Sequence, residues 1–148
     1  MNESAKKRAL NMLDKRDYSC KELTERLIQK GESPEDAEAA VERFAQLGLL
    51  NDEKYAGLVV RHYAAKGYGA SRVKTELFRR GVPKELWDEA LEQMPGQEDA
   101  MDAFLRRRLK DNAGEKEIRR ATDALLRRGF SWEEIRSALN RYRSDSDC

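Results

Sequence analysis

Three glycines, Gly31, Gly81 and Gly129, each close a basic or amphipathic run: Gln29-Lys30-Gly31, Arg79-Arg80-Gly81 and Arg127-Arg128-Gly129. Counting outward from each glycine brings the rest of the chain into register. Eight residues before it stand Leu23, Val73 and Ala121; four before, Leu27, Leu77 and Leu125; three before, Ile28, Phe78 and Leu126. Six after stand Ala37, Trp87 and Ile135; nine after, always alanine, Ala40, Ala90 and Ala138. Ten after stand Val41, Leu91 and Leu139, and thirteen after, Phe44, Met94 and Tyr142. These spacings mark helix faces on both sides of the glycine. A chain with this internal repeat is committed to stacked helical units, each packing on its neighbours. Each glycine suits the position just past a helix end, where positive φ costs little without a Cβ. Lys30, Arg80 and Arg128 bring a cation to the negative end of the helix dipole.

The helix starts agree with the register. Ser19 with Glu22 and Ser131 with Glu134 have capping-box spacing, with staples from Tyr18 to Leu23 and from Phe130 to Ile135. Ser33-Pro34-Glu35-Asp36 places serine at the N-cap, proline at the first helical position and acids in the first turn. Pro83 marks the equivalent start in the second unit.

A further helix precedes each pair. The first runs from about Ala5 to Asp14, the second opens at Asn51-Asp52-Glu53, and the third runs from about Asp99 to Lys110. Ala, Leu, Glu, Arg and Lys dominate, which favours helix over strand. The expected fold is all-α: three tandem three-helix repeats, residues 1–50, 51–97 and 98–148, with junctions at Gly48-Leu49-Leu50 and Pro95-Gly96-Gln97. Such an array is elongated and able to curve, with large exposed faces suited to an extended partner.

The chemistry of common sites is missing. The two cysteines, Cys20 and Cys148, form no CxxC or Cys/His cluster and read as reduced thiols, so no metal and no disulfide framework is expected. No apolar run is long enough to cross a membrane, and the polar start from Met1 to Arg8 lacks a secretory h-region; a cytoplasmic location is expected. The one histidine, His62, lies beside Arg61 and Tyr63 with no orienting carboxylate or nucleophile indicated. Lys66-Gly67-Tyr68-Gly69 is glycine-rich, yet no strand precedes it and no GxxxxGK[ST] is present, so it reads as a tight interhelical turn. The chain is expected to be no enzyme and to need no cofactor.

A helix–glycine turn–helix pair has the layout of a DNA-reading motif. The second helices, however, are acidic: Glu35, Asp36, Glu38 and Glu42 in one, Glu85, Asp88, Glu89 and Glu92 in the next. Phosphates would repel them, which disfavours groove readout. The net charge is only +1, so any interaction with an acidic partner must rest on local patches. In the central unit Arg61, Lys66, Arg72, Lys74, Arg79 and Arg80 face only Glu76, forming a basic stripe around the helix before the glycine. Such a stripe suits an acidic protein surface or a nucleic-acid backbone, or else is a solvated face. Tyr68 is placed either to stack on a base or to pack.

The block Gly48-Leu49-Leu50-Asn51-Asp52-Glu53-Lys54-Tyr55-Ala56, followed by Lys66-Gly67-Tyr68-Gly69, Arg72-Val73, Glu76-Leu77 and Arg80-Gly81-Val82, resembles the central signature of the RecX family. Ser19, Glu22, Leu23 and Leu27 in the first unit, and Leu125, Arg127, Gly129 and Phe130 in the last, match as well. Glu32 stands where the family more often has an aromatic residue, and Ser71 lies close to where proline is common. The resemblance implies a regulatory protein that binds the RecA filament on single-stranded DNA. It would inhibit or modulate ATP hydrolysis, strand exchange and stimulation of repressor self-cleavage, and so act in DNA repair, recombination and the SOS response. It further implies binding along the filament groove or blocking of filament growth at an end, with weak affinity for single- or double-stranded DNA. A repeat array needs no self-association, so a monomer is expected. The alternative is a helical protein that binds nucleic acid without sequence preference and competes with RecA for DNA.

Overall fold

The computed structural model describes residues 2–94, 96–110 and 113–146; Met1, Pro95 and Cys148, named above, lie outside the described residues. Within these, the secondary structure is helical, with no strand. The first repeat contains α1 (Asn2–Lys15), α2 (Cys20–Gln29) and α3 (Pro34–Gln46); the second, α4 (Asp52–Ala65), α5 (Ala70–Arg79) and α6 (Trp87–Leu91); the third, α7 (Glu98–Arg108), α8 (Glu115–Arg127) and α9 (Trp132–Ser146).

The end signals work as local chemistry requires. Ser19 Oγ accepts the Glu22 N–H while the Glu22 carboxylate accepts the Ser19 N–H, and Ser131 with Glu134 repeats the exchange. Ser33 Oγ accepts the Asp36 N–H ahead of Pro34. At the C-termini, Gly31, Gly81 and Gly129 hold φ of 107°, 75° and 99°. Around each glycine two N–H groups reach back: Gly31 to Ile28 O and Glu32 to Leu27 O, Gly81 to Phe78 O and Val82 to Leu77 O, Gly129 to Leu126 O and Phe130 to Leu125 O. This is the Schellman pair of bonds, which satisfies the last carbonyls of the helix.

Two departures from the sequence reading concern the register. The third helix of the second repeat is short: Pro83 opens a 3-10 turn, Lys84–Leu86, before α6. No side chain caps that turn, whereas Ser33 caps α3 at the matching place. The position three before the glycine faces outward in the first two repeats, where Ile28 and Phe78 are exposed, while Leu126 is partly buried against the core of the third. A step of about 100° per residue turns it away from the buried residues eight and four before the glycine.

The chain gathers into two compact units, Met1–Val59 with Glu76–Glu92, and Val60–Thr75 with Gln93–Cys148. The division passes through α4 and α5. In the first unit Ala9, Met12, Leu23, Leu27, Ala37, Val41, Phe44 and Leu50 form one core. In the second, Met101, Leu105, Leu109, Ala121, Leu125, Phe130, Ile135 and Ala138 form another. Each fully buried leucine contributes about 1.5–3 kcal/mol relative to exposure.

Each unit contains one junction between successive repeats, and the two are built alike. In the first, Ser19, twelve residues before Gly31, donates its hydroxyl to the carbonyl of Arg80. In the second, Gly69, twelve before Gly81, donates its N–H to the carbonyl of Arg128 at 2.7 Å. Arg80 and Arg128 each immediately precede their glycine. The corresponding carbonyl of the first repeat is Lys30 O. Arg8 Nη1 caps it at 2.9 Å and also pairs with Glu32.

Candidate functional site

The six cations of the sequence reading fall in different settings. Arg61, Lys66, Arg72 and Lys74 belong to the second unit, Arg79 and Arg80 to the first.

In the second unit Arg61 is exposed on α4, its guanidinium donating to Gln93 Oε1. His62 beside it is also exposed, with its ring edge-on to Tyr63 at 4.9 Å between centroids. Lys66 is exposed in the turn after α4, its ammonium 5.8 Å from the Tyr63 ring centre. Gly67 makes that turn possible with φ of 89°. Tyr68 is half-buried. It lies 5.9 Å from Tyr63, centroid to centroid, and under the Arg72 guanidinium at 5.1 Å. Both its ring and the half-buried Arg72 are therefore engaged within the protein, which favours the packing role for Tyr68. Lys74 is exposed.

In the first unit Glu76 is only 3% exposed although it is the acid of the basic stripe. Its carboxylate oxygens lie 3.5 Å from Arg79 Nη1 and 3.8 Å from Arg80 Nε. Arg80 also donates to the Tyr55 hydroxyl at 3.0 Å, and Arg16 donates to the same oxygen at 3.2 Å. Burial pushes the Tyr55 phenol above its ordinary value; the Arg80 bond works against that rise, and the Glu22 carboxylate adds to it. Arg80 thus works mainly inside the fold: its side chain is 29% exposed, held by Glu76 and Tyr55, and its carbonyl is part of the repeat junction. Arg79 is the outward member, with its side chain 72% exposed.

The sequence reading missed Phe78. It aligned with two apolar residues three before the glycine and so looked like ordinary core register, yet it is 75% exposed. Its neighbour in the chain is the exposed Arg79. The signal was available in angular terms, because Phe78 is one residue out of step with Val73 and Leu77, both fully buried.

Comparison with known proteins follows the same three-part organisation. Residues 5–44 match the profile of the RecX first three-helix domain, 51–91 that of the second and 97–139 that of the third. The chain is 39% identical over 134 residues to the regulatory protein RecX of Xanthomonas campestris pv. campestris strain B100, covering 88% of this chain and 83% of that one. It is 38% identical over 142 residues to its counterpart in Stenotrophomonas maltophilia, covering 93% and 86%. It is 36% identical over 141 residues to that of Trichlorobacter lovleyi, covering 90% and 92%. The crystal structure of RecX from Lactobacillus salivarius superposes with a TM-score of 0.84 at 21% identity, over 93% of this chain and 94% of that one. With three successive domain matches and relatives this similar over most of their length, the chain belongs to the RecX family of regulatory proteins.

Proposed function

We propose that this protein is a non-enzymatic regulator that binds the filament RecA forms on single-stranded DNA and lowers its activities. It would act as a cytoplasmic monomer, in DNA repair, recombination and the SOS response. The observation that carries the reading is the pairing of an exposed Phe78 with an exposed Arg79 at the end of α5. Aromatic residues and arginine are the types enriched where proteins meet proteins. A solvent-facing phenylalanine next to a cation is an anchor for an acidic or mixed protein surface. Arg61, Lys66 and Lys74, exposed in the second unit, supply further positive charge for an acidic filament. Arg72 and Arg80 act mainly through packing.

The experiment is RecA's single-stranded-DNA-dependent ATP hydrolysis, measured while the protein is titrated onto preformed filaments. Loss of hydrolysis at far fewer molecules than RecA subunits is expected. Phe78→Ala and Arg79→Glu, both on exposed side chains, should weaken inhibition by roughly tenfold, the order of a 1.4 kcal/mol anchor, while helicity stays unchanged. Inhibition at full strength in both variants would move the contact elsewhere. No effect of the wild-type protein even at equimolar ratio would remove the filament reading.

A further inference from the structure

In the second unit α7 lines two grooves of opposite charge. One, of about 670 Å³, is lined by Glu98, Asp99, Glu133 and Glu134. Its single lining cation, Arg141, is tied to Asp102 at 3.0 Å. Those acids stand in the first turns of α7 and α9, where the positive ends of the helix dipoles hold them, so they need no ligand. The other groove, of about 580 Å³, lies between the turn after α4 and the face of α7. Lys66, Arg107, Arg108 and Arg128 line it with Phe104, and no acidic residue is among its lining. Among the described residues none of these four cations is ion-paired to a carboxylate. Arg107 Nε donates only to the Ala103 carbonyl of its own helix, at 3.4 Å. Two guanidinium groups lie over the Phe104 ring, that of Arg128 at 4.9 Å from its centre and that of Arg108 at 5.7 Å. Arg128 Nη1 comes within 3.0 Å of the place a Cβ would take on Gly67, so glycine there leaves room for the guanidinium.

Four like charges around one groove repel one another, and the arrangement gains stability when an anion enters. The surroundings decide the kind of anion. Glu98 and Asp99 stand just before Ala100, where the lining of this groove along α7 begins. A uniformly charged polymer would be attracted at the groove and repelled where it left past those carboxylates. Two guanidinium groups over Phe104 also leave little of its face for a base to stack on. The lining from Ala100 to Arg108 is about 12 Å long at the rise of a helix, which spans about four residues of extended polypeptide. Carboxylates on such a segment meet the planar forks of three guanidinium groups through paired hydrogen bonds. An apolar side chain among them would find Ala100 and Phe104 between the cations.

We propose that this groove binds a short acidic segment of a protein partner, an extended stretch of aspartate or glutamate with apolar residues among them. The site shares no residue with the Phe78–Arg79 anchor and does not depend on filament binding.

The test uses the full chain alone, with no RecA, and a fluorescently labelled short peptide of alternating glutamate and leucine, followed by anisotropy. Arg107→Glu with Arg108→Glu is compared with Lys7→Glu with Lys15→Glu, the same change in net charge placed on exposed residues of α1. The groove variant should bind the peptide roughly tenfold or more weakly, because repulsion replaces two guanidinium–carboxylate pairs. The α1 variant should stay close to wild type. Unlabelled peptide should displace the probe far better than oligothymidylate of equal charge. Equal losses in both variants would reduce the effect to net charge and overturn the site. Absence of peptide binding by the wild type would do the same. Displacement by oligothymidylate as effective as by peptide would make this a groove for phosphate chains and overturn the assignment to a protein segment. Circular dichroism of each variant checks that the helices remain, and Lys66→Glu, a single change on an exposed residue, carries the same test if the double variant unfolds.

Discussion

The N–H of Gly69 points at the carbonyl of Arg128, 2.7 Å away, and brings the start of α5 against the turn between α8 and α9. Ser71 adds a second bond, to Gly129 O at 3.1 Å. The contact depends on two missing side chains. A Cβ on Gly69 would lie 2.6 Å from the Gly129 carbonyl group, and one on Gly129 would run into the Arg72 backbone nitrogen and lie 2.7 Å from its Cβ. Gly69→Ala and Gly129→Ala should therefore each cost about 3 kcal/mol, the upper range for overpacking. Gly31→Ala is the comparison: its φ of 107° is left-handed like that of Gly129, but nothing lies within 4 Å of the added Cβ, so it should cost about 1 kcal/mol. Urea midpoints of the three variants give the order, and a Gly31→Ala loss as large as the others would rule out close approach as the cause.

Ser19 performs at the first junction what Gly69 performs at the second. Its hydroxyl accepts the Glu22 N–H and donates to the Arg80 carbonyl, and the residue is fully buried. Ser33 makes only the first kind of bond, to the Asp36 N–H, at an exposed site. Ser33→Ala should cost about 1 kcal/mol, the worth of a cap. Ser19→Ala should cost about 2–3 kcal/mol, because the Arg80 carbonyl loses its partner in a dry place as well. Thermal unfolding of the pair decides whether the junction bond adds to the cap.

Tyr55 offers one oxygen to two guanidinium groups, those of Arg80 and Arg16. Tyr55→Phe removes that acceptor and leaves both cations in place. A loss of about 1.5–3 kcal/mol is expected, the range for hydrogen bonds to charged groups. The effect should shrink when Arg16→Ala is combined with it, which a double-mutant cycle on chemical denaturation measures.

Cys20 is pushed from 9.0 to about 11, chiefly by burial, with the Asp52 carboxylate beside it adding to the rise. The folded protein thus favours the neutral thiol. Its contribution to stability is present below about pH 9 and is lost as the pH rises toward 11. A shift of about two units leaves roughly a hundredfold less thiolate near pH 8. In a Cys148→Ser background, alkylation of Cys20 by iodoacetamide should be slower by about that factor than in urea. Equal rates in the folded and unfolded protein would show that burial does not protect the thiol.

The helices, their caps and the three-repeat plan were legible because they rest on local chemistry. Ser19, Ser33 and Ser131 cap through residues three positions away, and the three glycines end helices through bonds that span five. The central cations could be named from the chain too, but their roles could not. Nothing in the run Arg79-Arg80 shows that one side chain points to water while the other is held by Glu76 and Tyr55. Arg107, Arg108 and Arg128 looked like part of a generally basic third repeat, and the groove they share with Lys66 emerges only when the turn at Gly67 meets α7.

By itself, then, the sequence determined the order of the helices and the three-repeat plan, though not the 3-10 start of the second repeat's third helix, since capping, turn conformation and hydrophobic period act over a few residues. Tertiary structure alone decided which polar groups are consumed inside the fold and which remain for a partner. Residues 39 positions apart, such as Arg16 and Tyr55, or 61 apart, such as Ser19 and Arg80, meet only through packing. That packing depends on how closely two backbones approach, a distance set at Gly69 and Gly129 by the absence of a single carbon atom on each.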